Sequence, residues 1–417
     1  MTTSISSSNN NNNNNINNEI IHFTSLGYGE LRLAKKYSTK DILDDLFQTE
    51  GGLIVVDGNG EEYFPDEDNN YDLVPNKTYT IVSEKDLDSD TDESDDDADE
   101  DETHNEKHDN DNDHEHEHEH EHHQHEHKGC CNTDGHHEHD DNEDSQQCCS
   151  KHHNATKSEL KRIQNSQNGF NKLLKMREAR INMISKLYKR KYPEIFELRE
   201  EYFDKDFIEP IKQYKKTKNQ DDLLKALTKL TETRIYSFRI FTMEFCTKLL
   251  EEIENFKNTG LPTARPNSMN NYGAVLDEMG FTEFFKQLRE DYLSLFTSIL
   301  YKDYNGEKLN SHHAFAVQYK MDKEKELGFH YDESDITVNL CLGSEFTGGS
   351  LYFKGILDKP ETHNEYFEFK HIPGVALIHI GVHRHGALGL TSGERTNLIL
   401  WLRNSNIADQ QSESKLE

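Results

Sequence analysis

Residues 327–342 read Leu-Gly-Phe-His-Tyr-Asp-Glu-Ser-Asp-Ile-Thr-Val-Asn-Leu-Cys-Leu, with His330-Tyr331-Asp332 at their centre. Two side chains at i and i+2 on an extended strand point the same way, so an imidazole and a carboxylate spaced like this can share one metal ion. The triplet alone is a weak signal, because a chain with 24 His and 79 acidic residues makes such spacings by chance. Its surroundings strengthen it. Ile336-Thr-Val-Asn-Leu-Cys-Leu342 is rich in β-branched and apolar residues, Gly348-Gly349 marks a turn, and Leu351-Tyr-Phe353 is another short strand. A further apolar run, Val375 to Ile380, is followed by Arg384-His385-Gly386, then by Arg395 and the strand Asn397 to Leu402. Two His and one carboxylate form a facial triad suited to Fe(II), which leaves positions open for a chelating keto acid and dioxygen. An arginine on a neighbouring strand can clamp the distal carboxylate of that keto acid as a bidentate pair.

Three histidines compete to complete the set. His379 lies inside an apolar run, where a buried, hydrogen-bonded structural role fits it better. His383 and His385 share a face if the chain is extended there, so geometry alone does not choose between them.

Together, Tyr319, His330-x-Asp332, Thr337-x-Asn339, Gly348-Gly349, and His385 followed ten residues later by Arg395 resemble the 2-oxoglutarate/Fe(II)-dependent dioxygenases of the prolyl and lysyl hydroxylase type. The resemblance covers about 234–404, taking in Ile235 to Thr242 and Arg265 to Gly273. It implies iron at His330, Asp332 and His385, 2-oxoglutarate on Arg395 with Tyr319 beside it, and pocket positions at Thr337, Asn339 and Trp401. It further implies Fe(II) as cofactor, 2-oxoglutarate and dioxygen as co-substrates, ascorbate as an accessory reductant, and a C–H hydroxylation of an unidentified substrate, such as a protein. No side chain acts as an acid or base in that chemistry. Two other readings are a jelly-roll module that binds iron without oxidising anything, and a metal-buffering scaffold built on a His-rich tract.

Composition divides the rest of the 417-residue chain. The net charge is −32, yet residues 84–145 alone hold 28 acids against three Lys, which leaves the remainder only mildly acidic. Residues 83–156 are low in complexity, with alternating His and Glu from His114 to His127 and adjacent Cys pairs at 130–131 and 148–149. This tract is expected to be a disordered linker able to hold Zn²⁺ or Ni²⁺ weakly; paired Cys lack the C-x₂-C spacing of a zinc knot. Residues 1–19 are Asn-rich and also expected to be disordered, and 405–417 form a tail. The N-terminus has no basic and apolar pattern of a secretory signal, and no apolar run suffices for a membrane span. The expectation is an intracellular protein, cytoplasmic or nuclear, with no membrane partner.

Between these tracts, residues 20–82 contain two strand candidates (Leu53 to Val56, Thr78 to Val82) and a short helix capped at Ser38 or Thr39, which suggests a small β-grasp-like α+β module. Residues 157–233 read as mainly helical. The stretch from Lys161 to Lys191 carries ten basic residues and a single acid, but no aromatic platform is interleaved with the charges, so a solvated amphipathic face is expected and not a nucleic-acid partner. Further helices are expected at Asp221 to Thr233, Thr242 to Asn258 and Phe284 to Leu300. The expected fold is α+β, with a C-terminal double-stranded β-helix (jelly roll) at 234–404 buttressed by helices.

Overall fold

The computed structural model describes residues 19–25, 29–49, 52–83, 157–343 and 345–406, with backbone only for 157–167. The Asn-rich start, the acidic and His-rich tract and the last residues lie outside this set. The described residues up to Ser83 and those from 161 onward belong to one packed unit.

The N-terminal part runs β1 (Ile20–Ser25), β2 (Gly29–Ala34), α1 (Lys40–Phe47), β3 (Leu53–Asp57), β4 (Glu62–Tyr63) and β5 (Thr78–Ser83). Thr39 caps α1 by accepting from the Ile42 amide at 3.4 Å, and Leu43, Leu46 and Phe47 form its buried stripe. β1 pairs antiparallel with β2 and parallel with β5, and β3 lies between β5 and β4. Their period-2 pattern puts Ile21, Phe23, Leu31, Leu33, Val55, Tyr79 and Ile81 into one core with α1.

Next come α2 (Lys157–Leu187), α3 (Lys205–Thr217), α4 (Gln220–Leu224), β6 (Thr228–Lys229), β7 (Tyr236–Phe238), α5 (Met243–Lys257), β8 (Thr263–Ala264) and β9 (Gly273–Val275). α6 (Thr282–Leu288) and α7 (Ser294–Leu300) follow, separated by a π turn at Arg289–Leu293. The helix expected at Asp221 to Thr233 stops at Leu224. Its second half turns into β6, because Thr228 and Lys229 pair with Ser237 and Tyr236. Thr242 caps α5 through the Phe245 amide, and Phe245, Cys246, Leu249, Ile253 and Phe256 face the core at helical spacing.

The remaining strands are β10 (Ser311–Lys320), β11 (Leu327–His330), β12 (Ile336–Gly343), β13 (Phe346–Gly348), β14 (Leu351–Ile356), β15 (Phe367–Phe369), β16 (Ala376–Ile380), β17 (His383–Ala387) and β18 (Leu390–Arg403). They form a large sheet of order β6-β7-β16-β12-β18-β10-β9 and a small one of order β11-β17-β14-β15. From β10 onward the chain crosses repeatedly between these antiparallel sheets, the wrapping of a jelly roll.

The large sheet is buried on both faces, and its pleat sorts the side chains. Ala314, Ala316, Ile336, Val338, Leu340, Leu398, Leu400 and Leu402 pack with the Phe-rich helices in the main core. The alternate set, Phe315, Val317, Tyr319, Ile399 and Trp401, faces the small sheet and builds a second cluster with Ala387 and Leu390. Polar residues placed on this inner face are therefore held between two sheets.

Two short strands depart from the sequence expectation, and the first, β6, edges the large sheet although its stretch reads as helical. β8 does not join the jelly roll but adds an edge to the N-terminal sheet, pairing Leu31 with Ala264 and Arg32 with Thr263. α2 spans both cores, with Met176 and Ala179 in the N-terminal one and Ile184 in the main one.

Candidate metal centre and co-substrate pocket

His330 ends β11 and stands opposite His385 on β17. Asp332 is not on a strand, contrary to the i, i+2 expectation: β11 stops at His330, and the Asp332 amide donates to the Gly381 carbonyl at 3.0 Å. That bond still directs the carboxylate inward. The Asp332 oxygens lie 3.7 Å from His330 Nε2 and 3.7 Å from His385 Nε2, and one ligand atom from each residue falls within 4.8 Å of the others.

Two surrounding features prepare these atoms. Each imidazole has Nδ1 at 2.8 Å from a backbone carbonyl, Gly328 for His330 and His383 for His385. Nδ1 therefore carries the proton, and Nε2 turns a free lone pair toward Asp332. Thr337 Oγ1 donates to Asp332 Oδ2 at 2.6 Å, which fixes the carboxylate from the neighbouring strand. Burial, and after it the nearby His385, lowers the pKa of His330 and keeps it neutral, the form that binds a metal. Donor types, spacing and tautomers all fit a divalent transition ion.

The other two histidines contribute no atom to this group. His379 and His383 pack around Phe353, at 5.1 and 5.0 Å between ring centroids. Burial first, and then His385, pushes both imidazoles down to about 3. His383 pairs with Ile356 in the strand register, whereas His385 faces His330.

Arg395 and Tyr319 face each other across β10 and β18. Arg395 is 0% exposed, and its Nη1 donates to the Gly349 carbonyl. Gly349 has φ +70°, and a Cβ there would lie 2.6 Å from Nη1, so the glycine turn is what lets the guanidinium in. Among the described residues Nε and Nη2 of Arg395 have no hydrogen-bond partner, and no carboxylate pairs with it. A buried guanidinium with two idle donors is costly unless an anion completes it. Burial lowers the Arg395 pKa from its ordinary value and raises that of Tyr319.

Asn339 sits deeper, accepting from Asn397 Nδ2 at 2.6 Å, and the same amide approaches His371 Nδ1 at 3.4 Å. His371 is a buried neighbour of Arg395 that sequence reasoning missed; burial, then Arg395, lowers its pKa well below the usual range.

Two spaces share lining residues here. An inner cavity of about 30 Å³ between the sheets is lined by Tyr319, His330, Asp332, Thr337, Asn339 and His385, among others. An outer one of about 440 Å³ opens beyond Phe329, Tyr331, Glu333 and Arg384. Asn267, His330 and Trp401 line both. The loop from Arg265 to Tyr272 thus supplies a wall of the pocket, with Asn270 buried and lining the inner cavity alongside Tyr319. In the sequence this loop is expected to reach the pocket mouth, from the resemblance that takes in Arg265 to Gly273; its run of Asn and Ser is one that any connecting turn could carry.

Residues 184–306 match the family model of the OGFOD2-like domain, a stretch that includes this loop and ends before the metal donors. The chain is 40% identical over 236 residues to human 2-oxoglutarate and iron-dependent oxygenase domain-containing protein 2, covering 55% of this chain and 67% of that one. It is 43% identical to the Xenopus tropicalis protein of the same name, covering 54% and 66%. A prolyl-4-hydroxylase structure from Pseudomonas putida aligns at 14% identity and a TM-score of 0.29, over 41% of this chain and 88% of that one. The matches thus span about two thirds of the length of the vertebrate relatives. The chain belongs to the family of 2-oxoglutarate and iron-dependent oxygenase domain-containing proteins.

Proposed function

We propose that this chain is an Fe(II)- and 2-oxoglutarate-dependent dioxygenase that hydroxylates a C–H bond of a protein side chain or a small molecule. One observation carries the reading: three converging metal donors share a two-sheet interior with a buried guanidinium that lacks its anion. His330 and His385 would hold the metal through Nε2 and Asp332 through its carboxylate. Bound Fe(II), with 2-oxoglutarate and dioxygen, supplies the oxidation that places a hydroxyl on the substrate and releases succinate and CO₂.

The protein's part is positioning and exclusion of water. Thr337 and the carbonyls of Gly328 and His383 orient the three donors, so little rearrangement is needed on loading. Arg395 pairs with the distal carboxylate of 2-oxoglutarate through its idle Nε and Nη2, and Tyr319, 4.6 Å beneath the guanidinium carbon, holds the planar fork in place. The inner cavity has room for only about two waters, so co-substrate entry requires side chains at the throat, such as Trp401, to move. The outer cavity, bordered by Glu333 and Arg384, receives the prime substrate. The N-terminal strand order, with β1 between β2 and a parallel β5, supports a β-grasp-like module.

The test is succinate formation from 2-oxoglutarate by the purified full chain with Fe(II), dioxygen and ascorbate as reductant, without prime substrate. Slow turnover that disappears in His385→Ala is expected. Tight binding of Fe(II) and 2-oxoglutarate without any succinate would make the chain a metal-binding module instead.

A further inference from the structure

The N-terminal sheet does more than sit beside the jelly roll, because it is continuous with the backbone that walls the pocket. β8 pairs with β2, and the chain runs directly from Ala264 into the Arg265 to Tyr272 loop. Arg32, on β2, donates to the Asn271 carbonyl, and its guanidinium carbon lies 5.2 Å from the Tyr272 ring centroid. Arg265 reaches back to Glu30 at 3.8 Å. Ala34 donates to the Gly260 carbonyl at 2.8 Å; Gly260 has φ +68°, and a Cβ there would come within 2.5 Å of the Ala34 Cβ.

From the jelly-roll side the loop has separate anchors. The Asn271 amide donates to the Glu324 carboxylate at 3.1 Å, and His313 Nε2 donates to the Pro266 carbonyl at 2.9 Å. Within the loop, the Asn267 carboxamide oxygen accepts from the amides of Met269 and Asn270 at 2.8 and 2.7 Å. Asn270 lines the inner cavity together with Tyr319, whose ring underlies Arg395.

We propose that the N-terminal module is part of the catalytic unit: through Arg32 it positions the 265–272 wall loop, and so sets how tightly the co-substrate is held. The inference rests on the assignment of Arg395 and Tyr319 to 2-oxoglutarate. Arg32 is a positioning residue acting through Asn271 and Asn270, and it touches no reacting atom. The connection also explains why a module some 230 residues away in the chain shares a sheet with β8: a short loop cannot hold its own shape, but an edge strand of a rigid sheet can impose one.

The experiment compares the full chain with Arg32→Ala and Arg32→Lys by two readouts. The first is amide hydrogen exchange, which needs no turnover. Arg32→Ala should exchange Met269, Asn270 and Asn271 at least about tenfold faster while β10 stays as protected as before. The second is uncoupled 2-oxoglutarate turnover, where Arg32→Ala should raise KM for 2-oxoglutarate at least about threefold with kcat little changed. Arg32→Lys keeps a donor and a cation over Tyr272 and should restore most of both, and its folding safeguards the test if the alanine variant is unstable. Unchanged loop exchange, or an unchanged or lower KM in a folded variant, overturns the inference. A parent chain that forms no succinate would sink the functional reading, and loop exchange would still decide whether Arg32 braces the wall.

Discussion

Tyr319 and Arg395 are register partners on adjacent strands, with the guanidinium carbon 4.6 Å from the ring centroid and two of its nitrogens unpaired. A buried cation over an aromatic face keeps part of its electrostatic stabilisation, but the ring cannot accept from every donor of the fork.

Arg395→Lys keeps the charge and loses the planar, bidentate geometry. The KM for 2-oxoglutarate should rise at least about tenfold, equivalent to about 1.4 kcal/mol, with Fe(II) affinity unchanged. An unaltered KM accompanied by a lower melting temperature would show that Arg395 is a structural residue.

His383 and His385 separate the roles of two inward histidines. His385→Ala should lose high-affinity Fe(II) binding while remaining folded. His383→Ala should bind Fe(II) yet be destabilised by about 2 kcal/mol, because it leaves a hole beside Phe353. Metal titration alongside urea unfolding reads both; loss of metal binding confined to the His383 variant would reverse the assignment.

Thr337→Val is close to isosteric and removes the hydroxyl that holds Asp332. Fe(II) affinity should drop about 10- to 100-fold, the usual consequence of freeing a ligand from its support. Calorimetric titration with Fe(II) under anaerobic conditions would measure it. An unchanged dissociation constant would mean that the Gly381 contact alone orients the carboxylate.

Asp277 provides a pH test away from the metal donors. Burial would raise its carboxyl, but hydrogen bonds from His312 and the Ala314 amide, with His313 3.8 Å away, win and hold it at about 2. A carboxyl held below its unfolded value contributes stability that is fully present above about pH 4 and is lost as pH falls toward 2. The contribution is on the order of 2 kcal/mol. Asp277→Asn should therefore be less stable at neutral pH, and its stability should decline less than the parent's between pH 5 and pH 2.5. Parallel unfolding curves across that window would refute the prediction.

Much of this protein was legible along the chain. Strand alternation from β10 to β18 and the cap and apolar stripe of α1 and α5 follow from local spacing, because the pleat and the helical turn act over only a few residues, whereas the set His330, Asp332, His385 and Arg395 was read through the family resemblance. What the spacing could not settle is which strands lie side by side. Whether His383 or His385 faces His330 depends on the β11–β17 register, and Asp332 reaches the site through a bond to Gly381 and not through a strand. The union of β8 with β2, and with it the reach of Arg32 to Asn271, joins residues more than 200 positions apart. Such pairings carry no periodic signal of their own. They emerge only when the two cores pack and the remaining backbone donors and acceptors must find partners, and that is a property of the tertiary structure alone.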